Sequence, residues 1–255
     1  MAQARPYYAD KGLSAVFYDA VTGADARLEG DLDVYAKLAP ADGSVLELGS
    51  GTGRVAIALA ERGFQLTGVE IAPSMLAQAQ AKRAALDPET AARISLRRGD
   101  MTALDLKRTF DLVLCPYFTL AHVPAGAAWR NTFATAAHHL QRDGLAAFHL
   151  PLLEPMRAPG PANPDLPVMD RALEGGRRLQ LYVRERSFRE TIGRLDQVIE
   201  YVERGAEGQV LRRSYERLTY YLADPEPLAA AVGLVKHQAP IELGGVGEIW
   251  IFRKA

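Results

Sequence analysis

The hydrophobic and polar positions of this chain follow two different periods, one before and one after residue 150. The first part alternates short apolar runs with stretches in which apolar residues recur every three or four positions, as in residues 45–48 and then 55–59. Short apolar runs bounded by glycine indicate buried strands, and the longer period indicates helices. Strands that alternate with helices predict a mostly parallel sheet covered on both faces.

The first part is predicted to contain five strands and the helices that join them. The strands are expected at residues 45–48, 65–70, 94–98, 110–118 with the exit included, and 145–150. The helices are expected at residues 13–21, 31–39, 55–59, 73–85 and 129–140. Residues 1–12 are expected to be irregular, and Gly144 is expected to end the last of these helices as a C-cap.

A different pattern follows residue 150. Residues 151–167 contain six prolines, a density that argues against a helix or a central strand and predicts a loop. Residues 178–187, 194–204 and 209–221 alternate apolar with charged residues, which predicts an antiparallel meander with one solvated face. A short helix at 225–232 and strands at 233–237 and 248–253 are expected to close the chain.

Composition narrows the class of protein. The net charge is −1 and the arginines and acids of the meander nearly balance, so nothing predicts a nucleic-acid-binding surface. The single cysteine, Cys115, excludes an intramolecular disulfide and a cysteine-rich zinc site. No apolar run approaches membrane-spanning length and residues 1–11 resemble no signal peptide, so a soluble, cytoplasmic protein is expected.

The most informative stretch is Glu47-Leu-Gly-Ser-Gly-Thr-Gly-Arg54, at the end of the first apolar strand. Glycines at a strand-to-helix turn permit positive φ and let a ligand approach the backbone. Arg54 stands where a dinucleotide fingerprint has its third glycine, which argues against NAD. Glu47 lies inside a buried strand, where a carboxylate needs hydrogen-bond donors or a cation.

The spacing E-x-G-x-G-x-G resembles motif I of class I S-adenosylmethionine-dependent methyltransferases. The resemblance implies a Rossmann-like, doubly wound α/β fold, with a mostly parallel seven-stranded sheet and the antiparallel insertion between strands five and six. It also implies S-adenosylmethionine as cofactor and S-adenosylhomocysteine as product. Glu47 would lie near the methionine end, and the glycine turn would pack against the cofactor through Gly49, Ser50, Gly51, Gly53 and Arg54.

Later residues complete this cofactor site. Glu70 ends the second strand about 20 residues after the glycine turn, where a βαβ unit places a carboxylate against a ribose diol. The resemblance implies that Ile71 and Met75 contact the adenine and that Asp100 and Met101 bind its edge. Met75 could equally be a core residue, and Asp100 could be an ordinary turn residue.

The exit of the fourth strand should face the acceptor, because ligands of open α/β sheets bind at the carboxyl ends of the strands. Cys115 and Tyr117 are therefore expected to line the site. The segment lacks the Asn/Asp-Pro-Pro-Tyr signature of amino-methyltransferases acting on bases or glutamine. It is similar instead to a P-[YF]-x-[ST]-x-x-H pattern in small-molecule branches of the family, carried here by Pro116, Tyr117, Thr119 and His122.

Methyl transfer from a sulfonium needs alignment, exclusion of water and, for a protonated amine, a base. His122 and His149 are the candidate bases, with Tyr18 and Tyr117 as orienting groups. His149 could equally occupy a core niche, and Tyr18, which the resemblance also places near the cofactor, could simply pack. His138 and His139 are adjacent and are expected to be solvated or capping residues, so no metal site is predicted.

These observations predict a methyltransferase that acts on a nitrogen or oxygen of a small molecule, in the natural-product or amino-sugar branch. Residues 1–150 and 225–255 would form the cofactor domain, and residues 151–224 a substrate cover or oligomer contact. The free edges of the meander could pair two copies into a homodimer. The alternatives are a non-methylating S-adenosylmethionine enzyme, a macromolecule methyltransferase, a binding protein and an NAD-type oxidoreductase.

Overall fold

A computed structural model describes residues 4–9, 11–23, 25 and 28–255 of the chain. Its strands, numbered in chain order, are β1 Arg5–Pro6, β2 Ser44–Leu48, β3 Gln65–Glu70, β4 Ile94–Arg98, β5 Phe110–Cys115, β6 Leu140–Pro151, β7 Met169–Ala172, β8 Arg178–Arg189, β9 Arg194–Arg204, β10 Val210–Tyr221, β11 Leu234–Lys236, β12 Ile241–Leu243 and β13 Gly247–Lys254. The α-helices are α1 Leu13–Val16, α2 Tyr18–Thr22, α3 Asp31–Leu38, α4 Arg54–Glu61, α5 Pro73–Ala84, α6 Pro88–Ala92, α7 Ala127–His139, α8 Leu153–Arg157 and α9 Pro225–Ala230.

The chain divides into two compact units. One combines Met1–Tyr18 with Leu153–Leu222, and the other combines Asp19–Leu152 with Ala223–Ala255. The predicted boundaries at 150 and 225 lie within three residues of this division, but the N-terminal segment groups with the insertion and not with the first domain. The reason is that β1 pairs in parallel with β10, and that the backbone N–H of Ser14 donates to Glu216 at 3.1 Å.

The larger unit contains the predicted doubly wound sheet. Its strand order is β11-β13-β6-β5-β2-β3-β4, in which the strands from β2 to β6 run parallel and β13 runs antiparallel to β6. The Rossmann-like fold class is confirmed. The sheet has eight strands and not seven, because β12 also pairs with β13. The terminal strand β13 does not lie at the sheet edge, because β11 pairs along its outer side.

Both faces of this sheet are buried, as continuous apolar strands require. Alternate residues of β2 point to opposite faces, so Leu46 packs with Trp129 and Phe133 of α7, whereas Val45 packs with Leu59 of α4. Strands β2, β3 and β5 run parallel to one another. The carboxyl ends of β2, β3 and β5 therefore open at one edge of the sheet, where the glycine turn follows.

Three local predictions for the first part were wrong. The strand expected at 145–150 begins at Leu140, because α7 ends at His139 and the chain passes directly into β6 without the predicted glycine cap. The helix expected at 13–21 is two short helices, separated at Phe17, where φ is −106° and ψ is 18°. Residues 1–12 are not wholly irregular, because they contain β1.

The smaller unit is a five-stranded sheet with the order β1-β10-β9-β8-β7. The three predicted meander strands are confirmed as β8, β9 and β10, whereas β7 was not anticipated. The prolines of 151–167 do not exclude a helix, because Pro155 lies in the first turn of α8, where its missing N–H costs no hydrogen bond. The prediction of one solvated face was also wrong for β9, because this strand is buried on both faces.

Among the described residues, no helix is both long enough and apolar enough to cross a membrane.

Candidate functional site

The glycine turn after β2 adopts a backbone that only glycine accommodates easily. Gly49, Gly51 and Gly53 have φ values of 74°, 54° and 82°. A Cβ on Gly49 would collide with Cγ2 of Thr119, which follows β5. The backbone N–H of Gly49 donates to the carbonyl of Val69 in β3 at 2.8 Å, so the turn wraps the end of the neighbouring strand.

Glu47 brings a buried acid to the base of this turn. The residue is 2% exposed, and Oε2 has no hydrogen-bond partner within the described part of the chain. Burial raises the pKa of Glu47 to about 8, although the positive charge of Arg54 acts in the opposite direction. Oγ of Ser50 is likewise buried and has no partner within the same residues. Two unsatisfied polar groups therefore lie beside the turn, where a ligand could complete them.

Arg54, the first residue of α4, makes a two-pronged ion pair. Its Nη1 and Nη2 donate to Oδ1 and Oδ2 of Asp31 at 3.1 and 2.5 Å. Asp31 is 1% exposed and begins α3. The pair joins α3 to α4, the helix that follows the glycine turn. It also holds the guanidinium close enough for its charge to lower the pKa of Glu47.

Glu70 connects the ends of two strands. Its Oε2 accepts from the backbone N–H of Gly51 at 2.9 Å, and its Oε1 accepts from the backbone N–H of Ala72 at 2.7 Å. Each carboxylate oxygen has a second lone pair, so these bonds leave acceptor capacity for a ligand. The acid predicted to bind a ribose therefore also fixes the glycine turn.

The four residues assigned to the adenine side differ in exposure. Ile71 is 59% exposed, whereas Met75 is buried at 2%. Asp100 is exposed, and its Oδ1 accepts from the backbone N–H and the hydroxyl of Thr102, both at 2.8 Å. Met101 is partly buried against the core. Their contact with a ligand remains a prediction.

The exit of β5 is a sharp turn built from aromatic residues. Tyr117 and Phe118 both have positive φ, 45° and 60°, and their rings stack with centroids 5.5 Å apart. The Tyr117 hydroxyl donates to Oδ2 of Asp25 at 2.7 Å. Cys115 is buried at the end of β5, and burial raises the pKa of its thiol.

The two candidate bases lie in different surroundings. His149 is 1% exposed, and neither ring nitrogen has a hydrogen-bond partner among the described residues. The ring of Phe118 packs edge-on against it, with the ring centroids 4.9 Å apart. Burial and then the charge of Arg54 lower the pKa of His149 to about 4. His122 is partly exposed at the end of a 3-10 turn, and burial lowers its pKa to about 4. Both imidazoles are neutral at pH 7.

One predicted site residue belongs to the smaller unit, and three acids that the structure places in hydrogen bonds were not predicted from the sequence. Tyr18 belongs to the smaller unit, where its ring packs against Tyr8 with centroids 5.7 Å apart. Asp31, Asp25 and Asp19 were not anticipated, although Asp19 accepts from the Thr52 hydroxyl at 2.6 Å. Asp19 and Asp31 lie in the first turns of α2 and α3, where acids are common in any protein.

The histidines of α7 form a group whose spacing alone could suit a metal. Donor atoms of Asp105, His138 and His139 lie within 4.8 Å of one another. His139, however, uses Nδ1 on the carbonyl of Thr135 at 2.8 Å and accepts the backbone N–H of Leu106 at Nε2 at 2.9 Å. Binding a metal there would break one of these buried bonds, so the group is better described as a helix-end contact.

Comparison with known proteins adds family information to this geometry. A family described as a methyltransferase domain matches residues 45–144. A protein of Geobacillus sp. (strain WCH70), provisionally assigned as a methyltransferase, is 36% identical over 104 residues, which are 41% of this chain and 40% of that protein. The chain thus matches about two fifths of the length of this curated relative.

Solved structures resemble almost the whole chain. DesVI of Streptomyces venezuelae superposes with a TM-score of 0.77 at 17% identity, covering 97% of this chain and 99% of its own. CalS10 of Micromonospora echinaspora, an amino pentose methyltransferase solved with bound S-adenosylmethionine, gives 0.70 at 22% identity, covering 94% and 97%. Residues 45–144 therefore match a methyltransferase domain, and the chain shares the fold of these solved methyltransferases.

Proposed function

We propose that this protein is an S-adenosylmethionine-dependent methyltransferase that acts on a nitrogen or oxygen of a small molecule. The single observation that carries the proposal is the buried Glu47 carboxyl, unsatisfied at Oε2, beside a turn of three positive-φ glycines. A cationic ligand at this position would supply the donor that Glu47 lacks. The matching methyltransferase domain and the S-adenosylmethionine-bound CalS10 support this choice of cofactor.

The residues present fit such a cofactor. Glu47 and Ser50 have buried, unsatisfied polar atoms suited to the ammonium and carboxylate of a methionine end. Glu70 keeps acceptor capacity for a sugar diol, and Ile71 offers an exposed apolar surface beside it. Arg54 is held by Asp31 and so does not occupy the Glu47 carboxylate. Tyr18, Met75, Asp100, Met101 and Cys115 remain proposed contacts.

When bound, the cofactor would supply an electrophilic methyl group and leave as a neutral thioether, so no residue has to protonate the sulfur. A protonated amine or a hydroxyl must also release one proton. We assign that proton to His122 or His149, both neutral at pH 7 because burial lowers each pKa to about 4. Tyr117, fixed through Asp25, would orient the acceptor.

A small acceptor is favoured over a macromolecule. The net charge is −1, which provides no general attraction to nucleic acid. CalS10, a structural neighbour, acts on an amino pentose, and this favours nitrogen as the methylated atom. We include in the proposal a homodimer, formed through the edges of the smaller sheet, and a cytoplasmic location, where the buried free thiol of Cys115 would remain reduced.

Calorimetry with S-adenosylmethionine, S-adenosylhomocysteine and NADH tests the cofactor assignment. We expect micromolar binding of the first two and none of the third, with Glu47→Gln weakening S-adenosylmethionine binding at least tenfold. A screen of amines, hydroxyl compounds and carboxylates then identifies the acceptor. NADH binding, or no binding of either sulfur compound, would refute the proposal. Breakdown of labelled cofactor without an acceptor would assign a cyclising or other group-transfer activity instead.

A further inference from the structure

Glu216 on β10 is wholly buried, yet only half of its carboxylate is satisfied. Oε1 accepts from the backbone N–H of Ser14 at 3.1 Å and from the Ser214 hydroxyl at 2.5 Å. Oε2 has no hydrogen-bond partner among the described residues, and a Cβ on Gly12 would lie 3.0 Å from it. A buried carboxylate oxygen without a donor is costly, so its retention calls for an explanation.

The same sheet shows how other buried glutamates are compensated. Glu200 is 1% exposed and pairs with Arg184 at 2.5 Å and Arg213 at 3.0 Å. Glu203 is also 1% exposed and also has two arginine partners. Across residues 4–9, 11–23, 25 and 28–255, Glu216 has no ion pair. The unit therefore compensates two buried glutamates with its own cations and leaves the third without one.

Tyrosine rings cluster in the same compact unit as this carboxylate. The ring centroids of Tyr7 and Tyr8 are 4.4 Å apart, and those of Tyr8 and Tyr18 are 5.7 Å apart. The hydroxyls of Tyr7 and Tyr201 are hydrogen-bonded at 2.6 Å. Tyr7, Tyr8 and Tyr18 are each partly exposed.

The register places Glu216 on the same face as the cluster. Tyr201 of β9 pairs with Ser214, two residues before Glu216, and residues two apart on a strand share a face. On the other side, β1 runs alongside β10 and pairs Arg5 with Glu216, which brings Tyr7 to the same face. Burial is the largest cause that raises the pKa of Tyr7. The charge of Glu216 is one of several lesser causes that also raise it.

Aromatic faces attract organic cations, and a carboxylate accepts the N–H of an ammonium. We propose that Glu216 and the rings of Tyr7, Tyr8 and Tyr18 bind the ammonium group of a protonated or alkylated amine. The inference rests on the proposed function only for the role of that amine, which would be the methyl acceptor or its methylated product. One carboxylate among phenol rings offers too few oxygen ligands for calcium or magnesium, which favours the organic cation.

Ligand-observed NMR on the full chain, without cofactor, tests the site with N-methylpiperidine, which is cationic at pH 7. Cyclohexanol, an uncharged six-membered ring, is the comparison. We expect the amine to bind and cyclohexanol to bind at least tenfold more weakly, because only the amine compensates Glu216. Glu216→Gln should weaken amine binding at least tenfold, and Tyr8→Leu about threefold.

Glu203→Gln is the matched control, because it also neutralises a buried glutamate of this sheet but one that already has arginine partners. It should lower the stability to urea and leave amine binding within twofold, whereas Glu216→Gln should retain or raise stability. Equal binding of the two probes, or unchanged amine binding in Glu216→Gln, would overturn the inference. Calorimetry with S-adenosylhomocysteine separates the two proposals: its failure to bind refutes the cofactor assignment while the amine result stands.

Discussion

The carboxylate of Glu70 holds the backbone N–H of Gly51 at 2.9 Å, so the acid that ends one strand fixes the turn that follows its neighbour. The relation depends on parallel pairing, because β2 and β3 then end at the same edge of the sheet. The second oxygen holds Ala72, at the start of the next helix. One side chain thus positions both loops of the proposed cofactor site.

The clash between a side chain at position 49 and Thr119 gives a direct test of the glycine turn. Gly49→Ala should cost about 2–4 kcal/mol of unfolding free energy, through the positive φ and through overpacking. Gly30→Ala separates these causes, because Gly30 is left-handed with φ 88° and ψ −8° and an added Cβ would meet nothing closer than 4.0 Å, so it should cost about 1–2 kcal/mol. Urea unfolding measures both. Adding Thr119→Ser to Gly49→Ala removes the colliding methyl and should recover about half the loss; no recovery would contradict the clash.

The ion pair between Arg54 and Asp31 should contribute far more than a surface pair. Arg54→Met leaves Asp31 buried and unpaired, and we expect a loss of about 3 kcal/mol. The pair Arg62–Asp33 serves as control, since both side chains are well exposed and Arg62→Ala should cost under about 1 kcal/mol. Denaturant unfolding distinguishes the two, and equal small losses would show that the buried pair is not fixing α3.

The local elements of the site were predictable, because their signals lie in short stretches of sequence. The glycine turn needs Gly49 for a conformation that other residues adopt at a cost, and Glu70 follows from the repeat length of a βαβ unit. Asp25 and Asp31 were not predictable, because their partners Tyr117 and Arg54 lie 92 and 23 residues away in the chain. No period or spacing encodes such pairings.

The smaller unit illustrates the same limit. The period-two pattern correctly predicted β8, β9 and β10, but it assumed a solvated face that β9 lacks. Glu200 and Glu203 appear in the sequence as solvent-facing acids, and only the structure shows the arginines that cover them. The N-terminal segment joins this sheet through β1. This strand has only two residues, so its composition could not predict it.

The raised pKa of Glu47 predicts a loss of stability as the pH increases. The ordinary glutamate pKa is 4.5 and burial raises it to about 8, so between these values the folded state binds a proton that the unfolded state has released. Stability therefore falls with rising pH in that range. From pH 6.5 to 8 the fall should be about 1.5 kcal/mol in the ligand-free protein. Urea unfolding should show the slope in the wild type and a flatter one in Glu47→Gln; parallel slopes would refute the assignment.

His149 should contribute a stability change of opposite sign in acid, alongside His122, whose pKa burial also lowers to about 4. Its ordinary pKa is 6.5 and burial lowers it to about 4, so below pH 6.5 the unfolded state takes up a proton that the folded state resists. Stability then falls as the pH drops from 6.5 towards 4, by about 2–3 kcal/mol for this residue. His149→Phe should remove that part, whereas His138→Phe, at an exposed position, should not. Unfolding at pH 4.5, 5.5 and 6.5 tests this, because Glu47 and His122 contribute equally in the wild type and in both variants.

The assignment of the proton to His122 or His149 is tested by turnover at saturating acceptor. Removal of a general base lowers kcat by about 10²- to 10⁴-fold, so one of His122→Ala and His149→Ala should show that loss. His122 is partly exposed, so added imidazole should rescue the activity of His122→Ala. Cofactor binding should change little in the inactive variant, which separates lost chemistry from lost binding. If both variants and the double variant keep full turnover, neither histidine accepts the proton and the acceptor reacts already deprotonated.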